Sequence, residues 1–336
     1  MTQDWRVAVH RDSTVVLNDS VTCDGFVRGI GTRVQTHIHS DHMGGFTSSL
    51  SGKIYCLHGT RDLLVSQHRP YRHRQDLVGL NHGDVLKLDD GAKIQLLKNN
   101  HMLGAAQVLY ESKEGLRIGY SGDFSWPCEE VIEVDQLVLD GTSGPRTIRN
   151  YSQEDAEEAF LELVRRKLPS SPIVIRADVE SMFRAVSLLD SIAGVPVILD
   201  AKGIRYSTVY AEYGCPVPDQ LYCEDSEEGI AAINDGRYVM VRSRGKGTQN
   251  WDIEPTYLKL ISFGNTPDNP IHSWSDTVYN VGLSNHADFN QSLEYIKATG
   301  ASNVLVDNSR YGNAIEIAFE IANRFTNIDV DFELKK

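Results

Sequence analysis

One short segment limits what this chain can fold into and do more than any other part of its sequence. It follows a predicted strand, precedes a Gly-Gly turn, and holds three histidines and one aspartate within six residues: His37, His39, Asp41 and His42. Imidazole nitrogens and carboxylate oxygens suit zinc or manganese. Because alternate strand side chains point the same way, His37 and His39 are placed to share one ion. A solvated polar loop seldom concentrates histidine like this, so we predict a metal site.

Four further residues stand where a predicted strand runs into a turn: His101, Asp123, Asp140 and His286. An isolated histidine or aspartate at a strand end is more often a turn or cap residue. Because the four residues follow the histidine-rich segment in this order, however, we treat them together as one set. We therefore include them among the candidate site residues.

The hydrophobic pattern divides the chain into three parts. Short strand-like runs fill the first 145 residues, and a β-α-β succession follows, beginning at the capping signature of Ser152 and Asp155. After a less regular stretch from 245 to 275, strands and helices alternate again. We predict a first domain part at 1–147, an inserted α/β module at 148–265 and a return to the first domain at 266–336.

The motifs resemble those of a known superfamily. HxHxDH, a later histidine, GDF and a final histidine before Ala-Asp resemble the metallo-β-lactamase fold. YSGDFS, LVLDGTSG and GLSNHAD resemble its β-CASP branch, which comprises nucleases of RNA 3′-end processing, ribonuclease J and the Artemis group. The resemblance implies an α/β fold, an αββα sandwich of the metallo-β-lactamase type, interrupted by a β-CASP cap at 148–265.

The resemblance also implies a site with two divalent metal ions as cofactors, with Zn²⁺ the first candidate and Mn²⁺ the second. The expected ligands are His37, His39 and His101 on the first metal, Asp41, His42 and His286 on the second, and Asp123 on both. Such a pair lowers the pKa of a shared water and stabilises charge on phosphate oxygens. No side-chain nucleophile is then needed.

Three further roles follow from the same resemblance. Asp41 is expected to accept the proton of the attacking water, and Asp140 to orient a histidine or a metal ligand. His272 is the nearest candidate for the leaving-group acid, although its spacing to the last ligand is shorter than in relatives, and a surface histidine is the alternative. Near the C-terminus, Val306–Arg310 stands where relatives often carry a His-Gly-Glu turn.

We therefore expect a hydrolase, a nuclease that cleaves phosphodiester bonds of DNA or RNA by a metal-bridged hydroxide. Asp140 resembles an aspartate of the Artemis group where RNA-processing members have glutamate, which favours DNA. Exonuclease and endonuclease modes stay open. Two alternatives also stay open: a small-molecule metallo-hydrolase acting on lactones or thioesters, and an inactive scaffold subunit of a nucleic-acid-processing complex.

Nucleic-acid contacts have to be local, because a net charge of -13 argues against a general polyanion-coating protein. Two basic segments are the candidate nucleic-acid-binding residues: Tyr71, Arg72 and Arg74 in the first, Arg244 and Lys246 in the second. Arginine on phosphates and tyrosine under a base suit single-stranded nucleic acid. A solvated loop is the alternative for the second segment.

The remaining expectations concern location and partners. The N-terminal segment lacks the features of a signal peptide, and no apolar run approaches the length of a membrane span. The five cysteines are scattered and form no CxxC pair, which is typical of reduced thiols. We expect a cytoplasmic protein with a nucleic-acid substrate and no membrane contact; its protein partners stay open, with other nucleic-acid-processing factors as candidates.

Overall fold

The chain folds as two compact units. The computed structural model describes residues 5–47, 52–243, 253–262, 267–310 and 313–332. The first unit spans 1–148 and 286–336, and the second spans 149–285. Within the described ranges, no helix is both long and apolar enough to cross a membrane.

The first sheet is formed early in the chain from short strands rich in valine and other apolar residues. Its strands, in spatial order, are β1 (Val7–Val9), β2 (Val15–Leu17), β3 (Val21–Cys23), β4 (Thr32–Val34), β5 (Lys53–Leu57) and β6 (Leu77–Leu80). The pairs from β1 to β3 are antiparallel and those from β3 to β6 are parallel. Helix α1 (His58–Gln67) follows β5 directly. The carboxyl ends of β3 and β4 therefore meet at one edge of this sheet.

The second sheet begins with strands that pair mostly with their neighbours in sequence. These are β7 (Val85–Lys87), β8 (Lys93–Lys98), β9 (Ala106–Glu111), β10 (Arg117–Tyr120) and β11 (Gln136–Asp140). The pairs from β7 to β10 are antiparallel, whereas β10 and β11 are parallel. Because β8, β10 and β11 run in the same direction, the segments that follow them emerge at the same edge.

The second unit is an α/β module built around its own sheet. In chain order it contains α2 (Gln153–Lys167), β12 (Ile173–Ala177), α3 (Val179–Leu189), β13 (Val197–Leu199), α4 (Ala201–Glu212), β14 (Leu221–Cys223), α5 (Glu227–Asp235), β15 (Val239–Ser243), β16 (Thr256–Leu260), β17 (Ile271–Ser275) and β18 (Val278–Val281). The sheet order is β14-β13-β15-β12-β16-β18-β17, parallel except at β17. Ser152 and Asp155 form the predicted capping box of α2.

The sequence analysis divided the chain after residue 265, but the second compact unit continues to residue 285. The cause is strand pairing: β18 lies parallel to β16, and β17 pairs with β18 at the edge of the same sheet. Residues 271–281 are therefore held by the second unit's sheet. The return to the first unit begins at His286.

The chain then completes the first unit with α6 (Phe289–Thr299), β19 (Asn303–Asp307), α7 (Ala314–Arg324) and β20 (Asp329–Phe332). Strand β19 lies between β11 and β20, parallel to both. One apolar core lies between the first and second sheets, and another lies between the second sheet and α6 and α7. This layering confirms the predicted α/β sandwich.

Candidate metal centre

The first cluster of potential ligands combines three histidines with one aspartate. Ligand atoms of His37, His39, His101 and Asp123 all lie within 4.8 Å of one another. His101 Nε2 is 3.3 Å from His39 Nδ1 and 3.9 Å from Asp123 Oδ2, which is also 3.6 Å from His37 Nε2. The segments after β4, β8 and β10 carry these side chains. Residues predicted from three distant motifs are thus brought together.

The second cluster shares one histidine with the first. It consists of Asp24, His37 and His42, all buried. His42 Nδ1 lies 2.7 Å from Asp24 Oδ2, and His42 Nε2 lies 3.1 Å from Asp123 Oδ1. One carboxylate, that of Asp123, therefore faces the first cluster with Oδ2 and His42 with Oδ1. With one oxygen towards each group, Asp123 could serve an ion in either cluster.

Asp24 was not selected from the sequence. Its carboxylate accepts hydrogen bonds from the Thr36 backbone N–H at 2.7 Å and the Thr36 hydroxyl at 2.6 Å. Its backbone is left-handed, with φ of 53°, at the turn that ends β3. The signal was the same as for the other candidates, an acidic residue directly after a strand. No strand was predicted over Val21–Cys23, so the position of Asp24 at a strand end did not stand out.

His286 and Asp140 lie beside the first cluster. The His286 ring centroid is 4.6 Å from that of His101, and His286 Nδ1 is 3.7 Å from Asp140 Oδ2. The other oxygen of Asp140, Oδ1, accepts hydrogen bonds from the backbone N–H and the hydroxyl of Thr142. Asp140 is thus fixed at the end of β11 with one oxygen towards His286, where it is placed to orient that ring.

Asp41, like His286, is an expected ligand that belongs to neither cluster. It lies in the 3-10 turn Ser40–His42 and is exposed, whereas His42 in the same turn is buried. Its backbone carbonyl accepts a hydrogen bond from Arg310 Nε at 3.2 Å. The roles of its carboxylate as metal ligand and proton acceptor stay predictions.

The protonation preferences of the clustered residues follow from burial and proximity. Burial, together with the charges of His42 and His39, holds the pKa of His37 well below its ordinary value. Burial alone would lower the pKa of His42, but Asp123 and Asp24 raise it to about 10. Burial would raise the pKa of Asp123, yet His42 and His37 keep that pKa well below its usual range. The Asp123 carboxylate is therefore ionised and His37 is neutral, as ligation requires, whereas His42 would have to lose a proton to bind a metal ion.

The donor set fits divalent metal ions. The clusters combine imidazole nitrogens with carboxylate oxygens, the ligand types of zinc and manganese sites. His37 Nε2 is buried and, among the described residues, has no hydrogen-bond partner. Buried polar atoms normally have a hydrogen-bond partner. An unpartnered nitrogen that faces other potential metal ligands is therefore placed to bind a metal ion.

The chain is similar in sequence to proteins named as nucleases. No family model matches the chain. An RNase J-like protein of Methanocaldococcus jannaschii is 22% identical over 55% of this chain and 51% of its own length. The 5′ exonuclease Apollo of Gallus gallus is 24% identical over 78% of this chain and 55% of its own length. Both relatives are β-CASP metallo-β-lactamase nucleases. The chain resembles the β-CASP nucleases. The resemblance predicted from the motifs is thus confirmed.

The resemblance to the β-CASP nucleases covers part of each relative. The chain spans about half the length of the two relatives. The crystal structure of a protein of unknown function from Enterococcus faecalis V583 superimposes with a TM-score of 0.63 and 15% sequence identity. That superposition covers 90% of this chain and 79% of the other chain, and it supports the fold alone.

The first basic segment of the chain forms a short 3-10 helix, Arg69–His73. Arg74 is engaged within the protein: it donates to Phe46 O at 2.8 Å, pairs with Asp76, and lies 4.7 Å from the Phe46 ring centroid. The Tyr71 ring also packs against Phe46. Arg72 is exposed. Arg72 is therefore the better placed of the two arginines for a phosphate.

The remaining predicted residues lie in the second unit. His272 is on β17, opposite Asn280 of β18, and its ring centroid is 4.6 Å from that of Trp274. Its role as leaving-group acid stays a prediction. Arg244 and Lys246 lie outside the described residues.

Proposed function

We propose that the chain is a metal-dependent nuclease that hydrolyses phosphodiester bonds, with DNA as its preferred substrate. The observation that carries this proposal is the buried pair of clusters in which Asp123 faces His37 and His101 on one side and His42 on the other. The nuclease names of the relatives support the reaction class. The aspartate at position 140 supports DNA.

The proposed site assigns each residue a task. His37, His39 and His101 hold the first ion, His42, Asp41 and His286 hold the second, and Asp123 is shared. When bound, Zn²⁺ or Mn²⁺ would lower the pKa of a water and neutralise charge on the phosphate.

The chain's other residues keep these ligands in place. Asp24 accepts the Nδ1 proton of His42, which leaves His42 Nε2 directed towards Asp123. Asp140 Oδ2 lies 3.7 Å from His286 Nδ1, and we assign it the role of orienting that ring. Asp41 would accept the proton of the attacking water, and His272 would protonate the leaving group.

The proposal includes the domain organisation. Residues 149–285 stand between Asp140 and His286, where β-CASP nucleases carry their cap, and we assign them that role. Arg72, with Tyr71, Arg244 and Lys246, would contact the nucleic-acid backbone and bases. The expected assignment to the cytoplasm is part of the same proposal.

Cleavage assays with four end-labelled substrates test the function: single- and double-stranded DNA and the matching RNAs, with a chromogenic lactone alongside. We expect Mn²⁺- or Zn²⁺-dependent cleavage of DNA, slower cleavage of RNA and no turnover of the lactone. Asp123→Asn should abolish cleavage, whereas Asp89→Asn, at an exposed position in the same unit, should not.

Two outcomes would contradict the proposal. Turnover of the lactone alone would assign the site to a small-molecule hydrolase. A metal-loaded chain that binds oligonucleotides but cleaves none of them would indicate a scaffold subunit. Cleavage of RNA in preference to DNA would retain the nuclease and reverse the substrate assignment.

A further inference from the structure

A buried arginine links the C-terminal part of the first unit to the histidine-rich loop. Arg310 follows β19, and its side chain is only 8% exposed. Its Nη1 donates to Asp307 Oδ2 at 2.7 Å, its Nη2 to Ser13 O at 2.5 Å and its Nε to Asp41 O at 3.2 Å. The Tyr120 hydroxyl lies 3.4 Å from Nη1. One guanidinium thus joins segments that are far apart in sequence.

The contact with Asp41 lies next to His42, a candidate metal ligand, so a shift of the Asp41 backbone would move the His42 ring. Asp41 directly precedes His42, whose two ring nitrogens face Asp24 and Asp123. On the other side of this turn, Gln35 Nε2 donates to His42 O at 3.0 Å. The 3-10 turn is thus held from two directions.

The chemistry of arginine suits this task. Its guanidinium presents five N–H donors in a rigid planar fork, so that several acceptors fix its direction as well as its position. A lysine ammonium is a single point charge on a flexible stem and cannot reproduce the fork. Asp307 is itself held in place because it accepts hydrogen bonds from the backbone N–H and the hydroxyl of Ser309.

We propose that Arg310 is a positioning residue for the second metal: by holding the Asp41 backbone it sets the orientation of the turn that carries Asp41 and His42. This rests on the proposed function, since it presupposes an ion beside His42. Arg310 acts through the turn and not by ligation, because its guanidinium has no acceptor atoms.

Metal titration tests this role without relying on activity. The metal-depleted full chain is titrated with Mn²⁺, and the affinities of the first and second ions are compared among wild type, Arg310→Met, Arg310→Lys and Asp307→Asn. We expect Arg310→Met to lower the affinity for the second ion by about 10- to 100-fold and to leave the affinity for the first ion unchanged. Arg310→Lys should fall between, and Asp307→Asn should weaken the second ion less than Arg310→Met.

The matched control is Arg324→Met, which removes a half-exposed arginine paired with Glu320 on α7 and should change neither affinity. An unchanged second-ion affinity in folded Arg310→Met, or an equal loss of both ions, would overturn the proposal in favour of a purely structural clamp. If Arg310→Met does not fold, Arg310→Lys and Asp307→Asn decide by the same criteria. A wild-type chain that takes up no second ion contradicts the proposed function itself.

Discussion

His42 and Asp24 form a buried pair in which the histidine Nδ1 lies 2.7 Å from the carboxylate Oδ2. The same carboxylate accepts two hydrogen bonds from Thr36. The end of β3 is thereby tied both to the segment after β4 and to the turn that carries His42. This pair fixes which nitrogen of His42 is left to face Asp123.

Asp24→Asn should weaken the second metal site while preserving the backbone, because asparagine tolerates the left-handed conformation. An amide cannot accept hydrogen bonds as the carboxylate does from Thr36 and His42, so a buried polar group loses a partner at a cost of about 1–3 kcal/mol. Metal affinity at the second site should fall by about 10- to 100-fold. Asp19→Asn is the matched control, since Asp19 is exposed and has φ of 50°. Equal metal affinities in the two variants would contradict the role of Asp24.

Gly104→Ala should displace the loop that carries His101. Gly104 has φ of 77°, and a Cβ there would overlap the backbone nitrogen of Thr60 at the start of α1. Gly115→Ala is the control, because Gly115 also has positive φ, of 90°, but a Cβ there meets nothing within 4 Å. Gly115→Ala should cost about 1–2 kcal/mol of unfolding free energy for the backbone alone. Thermal denaturation and first-metal affinity should both show a larger loss for Gly104→Ala, and similar losses would rule out the clash.

Arg72→Ala and Arg74→Ala should have different effects although they are two residues apart. Arg72 is exposed, so its removal should weaken oligonucleotide binding and reduce the slope of log K against log salt by about one. Arg74 pairs with Asp76 and lies over Phe46, so its removal should mainly lower stability. Fluorescence anisotropy over a salt series, with thermal denaturation alongside, separates the two effects. An unchanged salt slope in Arg72→Ala would remove this segment from the binding surface.

The Arg74–Asp76 pair should also give stability a defined pH dependence. Hydrogen bonds from Arg74 hold the pKa of Asp76 below its ordinary value, against the opposing effect of burial. A depressed carboxyl pKa contributes stability above the unfolded value of about 3.9 and loses it as the pH falls through the folded value. The free energy of unfolding of wild type should therefore exceed that of Asp76→Asn by about 1 kcal/mol near pH 7 and by less near pH 3. Urea denaturation at both pH values measures this, and a difference that persists at low pH would contradict the assignment.

Much of the candidate site could be predicted because its residues follow strand ends. His37, His101 and Asp123 each lie three residues after the end of a strand, and strands of one direction deliver such residues to one edge of a sheet. Asp24 follows β3, which was not predicted as a strand. The exposure of Asp41 was not predictable, since it depends on a 3-10 turn and on a contact with Arg310, 269 residues away in sequence.

The domain division shows a similar limit. Local pattern marked the start of the second unit through the capping box at Ser152, which is a contact between near neighbours. The predicted boundary at residue 265 lies 20 residues before the end of the second compact unit at residue 285. The cause is that β16 pairs with β12, far back in the chain, and β18 pairs with β16. Pairing between distant strands leaves no local periodicity to detect.

The number of bound ions decides whether Asp123 and the histidines around it form a metal centre. We expect the purified chain, equilibrated with Zn²⁺ or Mn²⁺ and then dialysed, to retain about two ions per chain by elemental analysis. Asp123→Asn should reduce this number, and the exposed control Asp89→Asn should not. A folded Asp123→Asn variant with the same metal content as wild type, or a wild-type chain that retains none, would contradict the assignment of these residues as a metal centre.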